Sequence, residues 1–308
     1  MAVAVVIALV AVGGAYAAIN LAPPPASACS TQGGAIQVVA GENFWGSLVS
    51  QIGGSHVNVT SIVTDPNTDP HEYESNSADA RAITSACLVI VNGAGYDTWA
   101  LNEIAASNTP HQTVLNVQQL LGLSVDVNPH FWYSPYYVNT TVRAMYKDLV
   151  SIDPADSSYY RQQYASLNSS LWTSYMKQEL IIKQMFAGEP VASTESIFVY
   201  MANATGLKVI TPPAFMEAVA EGNDPSSQDV AAFQNQLNEG NSTVKVLVYN
   251  AQTVTPLTQS LLALAAKNEI PYIRITETIQ PQTFTFQAWM QGEVGQLQNA
   301  LNADALGK

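Results

Sequence analysis

Along the chain, short apolar runs alternate with longer segments whose apolar residues recur at helical spacing. Ile36–Ala40 reads as a strand, and the helical pattern over Asn43–Ile52 stops at Gly53 and Gly54. Val57–Val63 alternates with period two and reads as a second strand. Ser77–Thr84 predicts a short helix, Cys87–Val91 a buried strand, Val114–Val117 another strand and Pro135–Leu149 a helix. From Asp153 to Phe186 neither Gly nor any Pro after Pro154 interrupts the pattern. Tyr160, Tyr164, Leu167, Leu171, Tyr175, Ile182 and Met185 recur there at spacings of three, four or their sum, so one face is apolar. With Asp153 as cap and Pro154 in the first turn, this predicts a rod of about 50 Å at 1.5 Å per residue. Gly188 and Pro190 end it.

The same grammar then restarts. Strands are expected at Pro190–Ser193, Leu207–Ile210, Val244–Tyr249 and Pro271–Ile275, interleaved with helices at Ser196–Ala204, Val230–Leu237, Pro256–Asn268 and Phe286–Leu301. Such alternation predicts an α/β protein with mainly parallel sheets. Four segments follow: a signal or anchor with its tether over residues 1–35, an N-terminal lobe over 36–150, a linking helix over 153–187 and a C-terminal lobe over 190–308.

The first 21 residues are almost wholly apolar and uncharged, long enough for a membrane anchor but without the basic start of an ordinary signal peptide. Pro23–Pro25 stops any helix there, and Ala26-Ser27-Ala28-Cys29 is a loose lipidation motif. An uncleaved anchor, a lipoprotein and a secreted protein all fit, and each places the chain outside the cytoplasm, at the cell surface or in a periplasm. Sequons at Asn58, Asn139, Asn168, Asn203 and Asn241 suit an exported chain. Cys87 lies in an apolar run and reads as a packing residue rather than a disulfide partner of Cys29.

Of 308 residues, 47% are hydrophobic, enough for a large core, and only 11% are charged, with a formal net charge of −13. Eleven scattered Lys and Arg argue against nucleic-acid binding, whereas an acidic surface attracts cations. A polar but weakly charged exterior suits acidic surroundings or a glycosylated protein.

The candidate chemistry rests on two Pro-His turns. His71 closes Asp65-Pro66-Asn67-Thr68-Asp69-Pro70-His71, and His130 closes Asn128-Pro129-His130 ahead of Phe131 and Trp132. Proline restricts both loops and so holds each imidazole in a narrow range of positions, as a metal site assembled across the chain requires. In the second half, Glu195 and Glu277 follow predicted strands, where open α/β sheets bind ligands. Taken singly, each His also fits a turn residue and each Glu a surface carboxylate. His56 and His111 match no ligand pattern and read as surface residues.

These motifs, together with Ala40-Gly41-Glu42-Asn43-Phe44-Trp45-Gly46, Asn92-Gly93-Ala94-Gly95-Tyr96, Asp224-Pro225-Ser226 and Thr276-Glu277-Thr278, resemble the TroA-like metal-binding receptors of ABC importers from about Ile36 to Leu301. The resemblance implies two Rossmann-like lobes joined by one rigid helix, small lobe movements and a four-residue metal site. It places ligands at His71 and His130, a third at Glu195 in Thr194-Glu195-Ser196, and a fourth, usually Asp in relatives, at Glu277; Asn250 is a reserve candidate. Two imidazoles and two carboxylates suit Mn²⁺ or Zn²⁺, with Fe²⁺ behind them. Zinc importers often carry a His-rich loop between the first two ligands, and here that stretch holds only His111. The resemblance further implies a monomeric receptor without enzymatic activity, whose partners are a membrane permease and its cytoplasmic ATPase. Two rival readings are a metal-dependent hydrolase, which lacks a His-Glu-X-X-His helix here, and a surface adhesin using the aromatic run Trp132–Tyr137.

Overall fold

The structure, a computed structural model, describes residues 34–306 apart from residue 69, with side chains described to residue 303. The apolar N-terminal segment, Cys29 and Asp69 lie outside the described residues. In the N-terminal lobe, β1 (Ile36–Glu42), β2 (Val57–Val63), β3 (Leu88–Val91) and β4 (Thr113–Asn116) form a parallel sheet in the order β2-β1-β3-β4. Helices α1 (Asn43–Gly53), α2 (Ser77–Ser85) and α3 (Thr98–Ser107) make the crossovers, and α4 (Val117–Leu120) and α5 (Pro135–Ile152) follow the sheet. A linking helix comes next, built from α6 (Ser157–Leu171), a π-turn over Trp172–Met176 and α7 (Lys177–Phe186).

The second lobe repeats the plan. Strands β5 (Pro190–Ser193), β6 (Lys208–Val209), β7 (Leu247–Asn250) and β8 (Tyr272–Ile275) are parallel in the order β6-β5-β7-β8. Between and after them run α8 (Val199–Thr205), α9 (Pro213–Ala220), α10 (Ser227–Asn238), α11 (Pro256–Lys267) and α12 (Phe286–Leu306).

The expected rod differs in two respects. Pro154–Asp156 form a separate 3-10 turn, and Asp153 ends α5 while accepting a hydrogen bond from Tyr160 Oη at 2.9 Å instead of capping the long helix. The continuous helix therefore runs over residues 157–186, about 45 Å. Met185, assigned to the apolar face, is 58% exposed, and Phe186 is buried in its place; Tyr160, Leu167, Leu171, Tyr175 and Ile182 are buried as expected. Three helices escaped the hydrophobic pattern, among them the short α4, whose first residue Val117 was expected to end a strand. In α3 Ala100 is the one buried residue, so no periodic stripe marks it, and α9 starts at Pro213 in a stretch to which no element was assigned.

One continuous core joins the lobes. It runs from Ile36, Leu88 and Trp132 through Leu171, Tyr175 and Ile182 of the linking helix to Val246, Ile275 and Trp289. Helix α12 crosses back to the first lobe, where Gln51 and Gln287 exchange amide hydrogen bonds of 3.1 and 2.7 Å and Phe286 N donates to Ser47 Oγ at 3.0 Å. An extensive apolar interface of this kind restricts relative lobe motion.

The core also encloses acids. Burial, the leading cause in each case, pushes Glu293 up to about 8 and Asp97 up to about 6, and holds Glu42 and Glu179 well above the usual carboxylate range. Tyr133 Oη lies 2.7 Å from both Glu293 Oε2 and the Thr276 carbonyl oxygen, and a phenol has one proton for two acceptors. A protonated Glu293 supplies the second. Because the unfolded carboxyls release their protons near pH 4, the native chain binds more protons between about pH 4 and pH 8, and its stability falls as pH rises through that window. His130 opposes this trend below about pH 6.5, where the unfolded chain takes up a proton that the buried imidazole refuses. The unfolding free energy and the urea midpoint should be higher at pH 5 than at pH 8, and Glu293→Gln should reduce the difference in free energy by an amount on the order of a few kcal/mol. A midpoint that climbs from pH 5 to pH 8 contradicts this account.

Candidate metal centre

All four predicted residues lie beyond the carboxyl ends of strands: His71 after β2, His130 after β4, Glu195 after β5 and Glu277 after β8. The carboxyl edges of the two sheets face one cleft, which explains how residues so far apart in sequence converge.

His130 is the most tightly held. Asn128 Oδ1 accepts from His130 N at 3.0 Å and lies 2.7 Å from His130 Nδ1, so a proton on Nδ1 leaves the Nε2 lone pair available. Asn128 is itself anchored, donating from Nδ2 to the Ser196 carbonyl at 2.7 Å and accepting from Tyr200 Oη at 2.8 Å through its own carbonyl. Phe131, Trp132 and Tyr133 follow in a 3-10 turn with 0% exposure, and Trp132 stacks on Phe44 at 4.2 Å. Fully buried, His130 Nε2 has no hydrogen-bond partner. Burial, and secondarily the nearby His71, holds its pKa well below that of free imidazole.

His71 stands in the 3-10 turn Pro70–Glu72 with 24% of its side chain exposed. Its Nε2 is 3.4 Å from Glu277 Oε2, and its ring meets Tyr96 edge-on at 4.7 Å. Glu277 is buried: Oε2 accepts from Tyr96 Oη at 2.8 Å and lies 4.0 Å from His130 Nε2, and Oε1 accepts from Asn250 Nδ2 at 2.5 Å. Donor atoms of His71, His130 and Glu277 lie within 4.8 Å of one another. Glu195, 1% exposed, is linked to this group through Asn250, whose Nδ2 is 3.0 Å from Glu195 Oε1, while Glu195 Oε2 caps Ile197 N at 2.8 Å. Asn250, the reserve ligand candidate, presents its amide nitrogen to both carboxylates and accepts from Gln252 N through its Oδ1 at 2.9 Å.

Three further contributors were not read as site residues. Tyr96 reaches Glu277 from a loop that turns at Gly93, where φ is +76° and a Cβ would meet Asn116 Oδ1 at 2.6 Å. Its place in the loop that follows β3 was the available signal. Asn128 orients His130, and Gln252 Oε1 accepts from the backbone of Glu277 at 2.8 Å and Thr278 at 3.0 Å while its Nε2 donates to the Thr68 carbonyl at 2.9 Å. One side chain thereby ties the Glu277 loop to the loop that carries His71.

Electrostatics favour a cation at this point. Glu42 is buried nearby, and Asp97 and Glu277 add to the burial effect that raises its pKa. A cleft of about 1040 Å³, bordered by His71, Glu72 and Gly95 on one side and Ser196, Lys208 and Glu217 on the other, opens next to the group. Imidazole nitrogen combined with carboxylate oxygen suits divalent transition metals. The aromatics proposed for an adhesin are buried at Trp132 and Tyr133, and Tyr136 is 72% exposed. His56, expected on the surface, is half-buried and pairs with Asp156 at 2.8 Å.

Residues 38–300 match the family model described as the periplasmic zinc-uptake complex component A, ZnuA. The chain belongs to the ZnuA family. Among curated relatives it is 29% identical over 136 residues to the manganese-binding lipoprotein MntA of Halalkalibacterium halodurans, covering 42% of this chain and 44% of that protein. It is 21% identical over 228 residues to the high-affinity zinc uptake system protein ZnuA of Bacillus subtilis, covering 68% and 69%. This chain therefore spans about half the length of the first-listed relatives it matches. In three dimensions it superposes on the periplasmic zinc-binding protein TroA of Treponema pallidum with a TM-score of 0.69 at 16% identity, over 88% of this chain and 99% of that one. A manganese-bound periplasmic metal-binding protein of Candidatus Liberibacter asiaticus superposes with a TM-score of 0.71 at 18% identity, over 86% and 98%. These likenesses establish the ZnuA-family fold of two parallel-sheet lobes.

In metal-free protein, nitrogen NMR should show His130 still neutral and protonated on Nδ1 at pH 5.5, where a free imidazole is mostly charged. A titration midpoint at or above 6.5 contradicts the burial argument.

Proposed function

We propose that this ZnuA-family chain is an extracytoplasmic receptor that captures a divalent transition metal, Zn²⁺ or Mn²⁺, and passes it to an ABC permease driven by a cytoplasmic ATPase. The observation that carries the reading is the buried, unpartnered Nε2 of His130, beside His71 and Glu277. A buried polar atom without a partner is costly, and a metal ion removes that cost. The relatives named for manganese binding and zinc uptake support the same cargo.

In this reading His71, His130 and Glu277 bind the ion directly, and Glu195 supplies the fourth ligand once Asn250 yields part of its hydrogen bonding to the metal. Neutral imidazoles and ionised carboxylates are required, so capture weakens in acid. The lowered pKa of His130 keeps that nitrogen competent at pH values where an exposed histidine has taken up a proton. Capture makes and breaks no covalent bond. Attachment to the membrane is assigned to the N-terminal segment, by anchor or lipid, and the receptor acts as a monomer.

Calorimetric titration with Zn²⁺ and Mn²⁺ tests this directly. His71→Ala and His130→Ala should each lower affinity about 100-fold or more, beyond the usual effect of residues that merely orient ligands. Asn128→Ala should fall within the range of about 10- to 100-fold typical of such orienting residues. Unchanged affinity in both histidine variants refutes the site. Because the lobes share a core, scattering curves with and without metal should differ little; a large closure on loading would contradict that.

A further inference from the structure

A second cavity, of about 520 Å³, opens where the linking helix meets α5 and α8, and it shares no residue with the His71, His130 and Glu277 group. Its walls are aromatic. Tyr136, Tyr137, Trp172 and Tyr200 line it together with Met176, and Tyr136 and Trp172 keep 72% and 49% of their exposure. Trp172 and Met176 are the two ends of the π-turn, a helical irregularity often found at functional sites.

The remaining wall residue that matters is Glu179. It is 1% exposed, and neither carboxylate oxygen has a hydrogen-bond partner. One turn away, the buried Tyr175 Oη is also without a partner. Native proteins leave few buried polar atoms unpaired, and three within one helical turn point to a missing group. No Lys or Arg lines the cavity, so the protein itself offers no positive charge there. An anion would meet the carboxylate and the electron-rich ring faces, both repulsive, whereas a cation gains from each.

We propose that this cavity is a binding site for a small organic cation, an alkylated ammonium group whose charge is met by Glu179 and whose alkyl groups lie against Tyr136, Tyr137, Trp172 and Tyr200. Aromatic walls recognise alkylated ammonium better than a bare metal ion, because the alkyl groups bury apolar surface while the ring faces attract the charge. The carboxylate supplies the one opposite charge. Burial raises the pKa of Glu179 well above the usual carboxylate range. This site is independent of the metal centre, and the proposal stands or falls separately from the metal-receptor reading.

The test uses the purified chain with choline and tetramethylammonium as probes and 3,3-dimethyl-1-butanol as the uncharged match of choline, followed by saturation-transfer NMR and calorimetry. Both cations should bind, and the neutral alcohol should bind about tenfold more weakly or worse. Glu179→Gln, which keeps the shape, and Trp172→Ala, at a half-exposed position, should each weaken choline by about tenfold, with thermal unfolding confirming the fold and Zn²⁺ affinity unchanged. Equal binding of choline and the alcohol, retention of choline affinity in Glu179→Gln, or no binding of either cation to the parent chain overturns the proposal.

Discussion

The arrangement depends on one costly placement: a carboxylate, Glu277, brought out of water into the seam between two sheets. Desolvating a charged group costs several kcal/mol unless hydrogen bonds and opposite charge replace the lost water. Tyr96 and His71 from one lobe and Asn250 from the other surround it, and Gln252 fixes its backbone. These groups can meet only if both sheets present their carboxyl ends to the same cleft. The parallel strand order, repeated in both lobes, and the helix that spaces them follow from that requirement.

Much of this was legible in the sequence because the strands are short apolar runs with clear breaks. β2 and β5 fall at the expected boundaries, and the Pro-His turns mark the two imidazoles without any structure. The linking helix was readable from its spacing, but its start and its inner face were not. Asp153 has the chemistry of a cap, yet its carboxylate is taken by Tyr160 from the next turn, a tertiary contact no local rule contains. Helix α3 buries too little to leave a stripe.

The supporting residues of the site were harder to see for a different reason. Asn128, Gln252 and Asn250 are ordinary amides in a chain rich in them, and what sets them apart is which backbone they reach. Ligand-type residues announce themselves by rarity, since the chain has four histidines; residues that orient them do so by position alone. Glu195 illustrates the limit. Its place after β5 was predictable, but its division between capping Ile197 and facing Asn250 was not.

Four of the bonds that hold the lobes across the cleft share a chemical character. Gln252 to Thr68, Gln282 to Thr64, Asn128 to Ser196 and Asn43 to Ile279 are all contacts between a neutral amide and a backbone group. Dissolved ions screen charge pairs and leave such dipolar contacts nearly untouched. These four contacts are therefore insensitive to ionic strength, and this part of the grip between the lobes is the same in dilute and in saline surroundings.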